Sequence, residues 1–474
     1  MPATHDFALT RRSFLARYAG CLGSLALVQL LADEELRAGS GNHEGLLAQK
    51  IPSHAGKANA VICLFQHGGP SQMDLFDPKP ELTKRHDQAY PGQVEAHFHT
   101  QVGKLLASPF KFHKCGQSGT ELSELLPHTA RIADEITLVR SMTTESVDHE
   151  AALRLIHTGK AFVGRPSWGS WVLYGLGSLR DDLPAYVVLS DPGGLPIDGP
   201  NNWTSGFLPA IYQGTPFRAQ DVPVVNLQQP NDISPEARQN QLRFLEAINQ
   251  AHWQRHPNNA ELKARISNYE LAARMQTSVP SVLDVSQETA ETAKLYGLNN
   301  PKTAEYGKRC LLARRLVEHG VRFVQIFLNR QPWDTHSNNA EQLKSLCAMT
   351  DQPSAGLVQD LKRRGLLDST IVLWTGEFGR LPVSQGTDGR DHNRHGFSLW
   401  LAGGGFKAGY THGATDEFGY KAVEKVVTVY DLQATLLHAL GLDHRKLNYP
   451  HEGRLDTLTD AEVTKAKLVP ELLS

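Results

Sequence analysis

Leu366-Leu367-Asp368-Ser369-Thr370-Ile371-Val372-Leu373-Trp374-Thr375-Gly376-Glu377-Phe378-Gly379-Arg380 is the segment from which the architecture is read. A helical pattern from Ala355 to Arg364 runs into it. Thr370 to Trp374 is then a continuous apolar run, the mark of a strand buried on both faces. Glycine ends the run, and Glu377 and Arg380 follow at once. Helix, buried strand, then charge at the strand's carboxyl end is the grammar of a parallel α/β sheet, in which ligands gather at those ends.

The same grammar recurs outward from this segment. Ala60 to Gln66 reads as a strand ahead of His67-Gly68-Gly69-Pro70-Ser71-Gln72-Met73-Asp74. The pattern predicts a helix over Glu121 to Ala133, then a strand over Ile136 to Arg140, then Thr143, Thr144, Ser146, Asp148, His149 and Glu150. Ala185 to Leu189 reads as a strand ending at Ser190-Asp191-Pro192-Gly193-Gly194. A helix over Tyr306 to His319, stopped by Gly320, precedes strand Val321 to Phe327, after which come Asp334 and His336. Strand Ser398 to Ala402 and helix Asp431 to Leu440 complete the set. Residues 233–320 read as a helical insertion over the sheet, with helices over Glu236 to Trp253 and Asn259 to Met275; Phe244, Ile248 and Ala251 fall on one stripe of the first. The expected fold is α/β, a mainly parallel central sheet flanked by helices.

The N-terminus carries an address. Arg11 and Arg12 precede Ser13-Phe14-Leu15 and a short apolar run from Tyr18 to Ala32, too short for an ordinary membrane span. Residues 1–38 are therefore expected to be a twin-arginine export signal, residues 39–474 one domain, and the mature chain periplasmic or secreted, with membrane contact only during export. A formal net charge of -2 over 474 residues gives no electrostatic case for nucleic acid. Cysteines at 21, 63, 115, 310 and 347 form no CxxC pair. They leave room for one or two disulfides, not a disulfide scaffold.

Four strand ends supply imidazole or carboxylate groups: His67 after the first; His149 after the second; Asp334 and His336 after Phe327; Glu377, Arg380, Asp388, Arg390, Asp391, His392, Arg394 and His395 after Trp374. Each group alone is ordinary loop chemistry. Together, histidine nitrogens and carboxylate oxygens are the ligands of a divalent ion: zinc, manganese or calcium, one or two of them. Such an ion polarises a phosphoryl or sulfuryl oxygen, and neighbouring arginines suit an oxyanion.

Leu366 to Gly379 also resembles a segment of the alkaline phosphatase/sulfatase superfamily, as do His395-Gly396-Phe397-Ser398-Leu399-Trp400-Leu401-Ala402-Gly403-Gly404-Gly405 and Val429-Tyr430-Asp431-Leu432-Gln433-Ala434-Thr435-Leu436-Leu437-His438-Ala439-Leu440-Gly441. With Gln66 to Asp74, Trp333-Asp334-Thr335-His336 and Gly376 to Arg380, the chain is similar to the exported bacterial proteins of domain of unknown function family 1501. The resemblance implies an alkaline-phosphatase-like three-layer sandwich and a metal-dependent hydrolase of phosphate or sulfate esters, acting on a small-molecule or glycan ester. It implies metal ligands Asp334, His336 and His392 or His395, and a second set from His67 and Glu377. It implies oxyanion binding by Arg380 or Arg394. The superfamily's nucleophile place, counted back from Thr158-Gly159, falls on Asp148-His149. His149 is then an acid/base or a nucleophile, with Ser146 nearby. Phe378 stands where the superfamily has a histidine, and no sulfatase signature or Gly-x-Ser-x-Gly elbow is present. The alternative is a catalytically degenerate member acting as an extracellular binding protein.

Overall fold

Burial on both faces turns the apolar runs into one sheet. The structure, a computed structural model, describes residues 46–218, 233–257 and 259–474. The expected export segment lies outside the described residues. The strands that matter are β1 (Ala60–Phe65), β2 (Ile136–Thr143), β3 (Tyr186–Ser190), β4 (Thr215–Arg218), β5 (Phe323–Phe327), β6 (Thr370–Thr375), β7 (Gly379–Gln385), β8 (Gly389–Asn393), β9 (Phe397–Ala402), β10 (Tyr410–His412) and β11 (Val427–Thr428). Their central sheet runs β10-β2-β9-β6-β1-β5-β3-β4, with β11 also on β2. β1 pairs in parallel with both β5 and β6, and only β9 runs antiparallel to its neighbours. All of β1, β5 and β6 is buried.

One apolar cluster covers each face. Ile62, Leu64, Val324, Val372 and Trp374 pack with Tyr306, Leu312 and Leu357 on one side. Val61, Cys63, Phe323, Ile371 and Leu373 pack with Trp171, Leu436 and Leu437 on the other. The alternation along each strand sends successive side chains to opposite faces. The covering helices include α1 (His149–Thr158), α2 (Trp168–Leu176), α4 (Ala260–Leu283), α5 (Ala304–Glu318), α6 (Asn339–Arg363) and α7 (Val429–Ala439). Helix α3 (Pro235–Arg255) belongs to a second compact unit; the Ser234 hydroxyl caps it, accepting from Ala237 N. Gly320 adopts φ 88° just past α5 and stops that helix as its position foretold.

The helix expected over Glu121 to Ala133 does not form. Thr120–Ser123 pairs instead with Phe112–Cys115 as a hairpin, and Thr129–Glu135 is a 3-10 turn. Pro127 lies between them and disfavours helical geometry at the residue before it. The Asp351 carboxylate takes the N–H groups of His128 and Thr129. The helix expected from Ala355 starts a full four turns earlier, at Asn339, and accommodates Pro353. Cys63, Cys115, Cys310 and Cys347 are all free thiols, so the disulfides that the cysteine count left room for do not exist among the described residues. No helix there is long and apolar enough to cross a membrane.

Candidate metal centre

The carboxyl ends of β1, β2, β5 and β6 lie together, and a hairpin of β7 and β8 closes over them. Register places Arg380 of β7 opposite His392 of β8. The loop after β1 threads between these elements. A Cβ on Gly68 would lie 2.4 Å from Asp334 N, and Gly68 holds φ 112°, so only glycine lets this loop approach the Asp334 backbone. The Gln72 side chain takes Arg380 N and gives a hydrogen bond to Arg380 O. Asp74 receives the Arg390 guanidinium, Ser71 Oγ and Asn339 Nδ2, all buried. These bonds tie the hairpin to the first strand's loop and so fix where His392 sits.

Asp334 Oδ1 is the hub. His336 Nε2 lies 2.9 Å from it, His392 Nε2 3.1 Å and His149 Nε2 3.3 Å. The His336 and His392 Nε2 atoms are 3.1 Å apart. Each ring's other nitrogen is already committed. His149 Nδ1 donates to Glu377 Oε1 at 2.6 Å, His392 Nδ1 to the Val147 carbonyl at 2.6 Å, and His336 Nδ1 to Gln385 Oε1. A neutral ring so held has its lone pair on Nε2, facing the hub. Asp148 caps α1, accepting from Ala151 N, and this sets His149 at the first helical position.

Several lone pairs facing a carboxylate oxygen repel unless a proton or a cation lies among them. In the metal-free chain protons answer. Burial opposes a charge on His149, but hydrogen bonds to Asp334 and Glu377 outweigh it and push the ring up to about 9. Burial pulls His392 down to about 4, against the pull of Asp334. Burial raises Asp334, yet its bonds to His149, His336 and His392 hold the carboxyl far below the usual carboxylate range. A divalent ion is the other answer. The separations of 2.9 to 3.3 Å between each imidazole and Asp334 Oδ1, and of 3.1 Å between His336 and His392, lie close to the edge of about 3.4 Å of a tetrahedron with zinc-length arms. His149, Asp334 and His392 form one group of ligand atoms mutually near enough to share an ion, and His336, Asp391 and His392 form another.

The remaining residues singled out in the sequence lie elsewhere or do other things. His395 is not at the hub: its Nε2 lies 2.8 Å from Glu95 Oε2, the oxygen that also takes Arg394. Arg394 further donates to the Glu145 carbonyl, so both are spent on structure. Arg380 is fully buried and donates to the carbonyls of Gly68, Gly69, Trp333 and Arg390 and to Asp334 Oδ1. It positions Asp334 from a site with no solvent exposure. His67 and Glu377, the expected second set, belong to neither of the two ligand groups found among the described residues, and Glu377 Oε2 is buried without a hydrogen-bond partner. His67 is buried against Phe65 and Phe327 with both ring nitrogens unpartnered, and burial, then His157 and His149, hold it well below its ordinary pKa. Glu377 Oε1 serves His149 and Gly68 N. Phe378, in the place of the superfamily's histidine, packs its ring on His149 and His392 at 4.8 and 4.6 Å. Ser146 is half-buried, and its hydroxyl accepts from Asp148 N as a local cap. Sequence reasoning missed the roles of Gln385 and Val147. Gln385 and Val147 act through a side-chain amide and a backbone carbonyl, which no residue-type pattern marks.

Residues 58–473 match the model of the family described as "Protein of unknown function (DUF1501)". The chain belongs to this family. No curated protein matches this DUF1501 member in sequence. Among solved structures it is similar to the lipoteichoic acid synthase LtaP from Listeria monocytogenes, at 10% identity over 84% of this chain and 77% of that one, TM-score 0.32. It is also similar to the PsFucS1 sulfatase from Pseudoalteromonas sp., at 12% over 81% and 68%, TM-score 0.34. A third is a protein of the alkaline phosphatase superfamily from Vibrio parahaemolyticus, at 11% over 88% and 74%, TM-score 0.34. Similarity at this level identifies neither an activity nor a substrate.

Proposed function

We propose that this DUF1501 member is an exported hydrolase of phosphate or sulfate esters that depends on one divalent ion held by Asp334, His336, His392 and His149. The observation that carries the reading is the convergence of three imidazole Nε2 atoms on Asp334 Oδ1, each ring locked from behind by an acceptor on its Nδ1. Ligand histidines are held in this way by carboxylate, amide or carbonyl groups in metal sites generally. Nitrogen donors with a single carboxylate suit zinc or manganese better than calcium, which prefers oxygen. When bound, the ion supplies Lewis-acid polarisation of the ester and acidifies a water.

The chain's own residues do the rest. Glu377 orients His149, and Arg380 orients Asp334 through a bond of 2.7 Å. Phe378 keeps water off one side of His149 and His392. No Ser, Thr or Cys stands at the start of α1, so hydrolysis proceeds without a hydroxyl or thiol nucleophile from that position. The twin arginines at 11 and 12 support export, and the substrate is then a small-molecule or glycan ester outside the cytoplasm. Turnover of aryl phosphate and aryl sulfate esters by zinc- or manganese-supplemented protein, lost in His392→Ala, tests the activity. Metal uptake without turnover of any ester would leave a binding protein instead.

A further inference from the structure

The outer boundary of the ion site is a short loop that no catalytic pattern in the sequence marks. Residues 94–101 cross the mouth of the site and are pinned along their length. Phe98 N donates to Asp391 Oδ2 at 2.8 Å, and Asp391 is the residue before His392. Glu95 receives Arg394 and His395 and gives its N–H to Tyr420 Oη. Ala96 is buried, packed with Tyr90 and Val94 against Phe418. Gln101 Oε1 accepts from Gln385, the same amide that holds His336. Between these anchors two rings are left outside. Phe98 is 39% exposed and stands edge-on to His336, ring centres 5.2 Å apart. His97, also exposed, stacks on His392 at 5.0 Å and meets Phe98 at a right angle, 4.7 Å away.

A fixed backbone holding an apolar ring in solvent, against a ligand histidine, is a binding surface in waiting. Arg380 is buried, and Arg394, with its side chain 34% exposed, is paired with Glu95 and the Glu145 carbonyl, so what the described residues here offer a substrate is the two rings. We propose that Phe98 and His97 form an aromatic lip that selects esters whose leaving group presents a flat ring face, aryl or sugar, over short straight chains. The proposal rests on the site being an ester hydrolase's. Rings meet aromatic side chains face-to-face or edge-on at centre distances such as those already found here, and one such contact is worth about tenfold in binding at most.

The test uses full-length protein supplemented with zinc and three non-hydrolysable probes: phenylphosphonate, a hexose 6-phosphonate and methylphosphonate, titrated calorimetrically. The expected result is a five- to tenfold preference for a ring-bearing probe over methylphosphonate. That preference should disappear in Phe98→Ala and return in Phe98→Tyr, while methylphosphonate binds all three proteins alike. Preference for phenyl over hexose assigns an aryl ester, and the reverse a sugar ester. Equal binding of all probes by wild type, binding of none, or a preference kept by Phe98→Ala overturns the lip. Zinc uptake measured in the same samples without phosphonate reports on the ion site separately, so failure of the lip and failure of the hydrolase reading are told apart.

Discussion

Of the proposed ligands, His336 is the histidine whose removal should disturb the fold least, because its side chain keeps 26% of its exposure, against 3% for His392 and 11% for His149. The Gln385 amide that loses it stays bonded to Gln101. His336→Ala therefore isolates the loss of one ligand. An ion that binds only the native state stabilises it by RT ln(1 + [L]/Kd), about 2.7 kcal/mol at a free concentration 100 times Kd. An unfolding entropy of about 2.1 cal/mol/K per residue makes about 1 kcal/mol/K for a chain of this length, so the expected rise in Tm is about 3 °C. Changing an outer partner of a ligand already weakens metal sites by roughly 10- to 100-fold, so losing a ligand costs at least about 100-fold. At the same free zinc the variant then gains only about RT ln 2, near 0.4 kcal/mol, and Tm rises by less than about half a degree. Differential scanning calorimetry with and without zinc, and with chelator, reads both. No zinc-dependent rise in wild type, or an equal rise in His336→Ala, refutes the argument from converging Nε2 atoms.

Other outcomes follow from the same geometry. The ion must displace the proton that Asp334 and Glu377 hold on His149; because that ring titrates at about 9, apparent zinc affinity should rise about tenfold per pH unit between pH 7 and 8.5 and level off above 9, with close to one proton released per ion, measurable by competition titration in two buffers. Arg380→Ala should destabilise the metal-free protein by about 3–5 kcal/mol in denaturant unfolding, since it takes a fully buried guanidinium away from the half-buried Asp334 carboxylate and from four carbonyls. Ser146→Ala should leave ester turnover within about twofold of wild type, because that hydroxyl only caps the turn before α1.

The sheet was legible because burial on both faces writes itself as unbroken apolar runs; Ala60 to Phe65, Phe323 to Phe327 and Thr370 to Thr375 all form strands where those runs stand. The failure at Glu121 to Ala133 shows the limit. Leu122, Leu126, Ile132 and Ala133 have a spacing that a helix would share, but their burial is met by a hairpin and a 3-10 turn around Pro127, with Asp351 supplying acceptors from another element. At the site, residue types identified Asp334, His336, His392 or His395 as ligands of one ion and His149 as an acid/base or nucleophile, and the geometry puts His336, His392 and His149 around Asp334 Oδ1. It could not choose between His392 and His395, three residues apart. That choice depends on strand register, which points His392 inward opposite Arg380, and on Glu95, which claims His395. Nor could it foresee that Arg380, a natural oxyanion binder by type, would be enclosed by the carbonyls of Gly68 and Gly69.

X-ray absorption at the zinc edge tests the central claim most directly, on full-length protein dialysed against limiting zinc. One ion per chain with three imidazole nitrogens at about 2.0–2.1 Å and one carboxylate oxygen is the predicted first shell, falling to two imidazoles in His149→Gln. No retained zinc, or a shell without imidazole scattering, would contradict it.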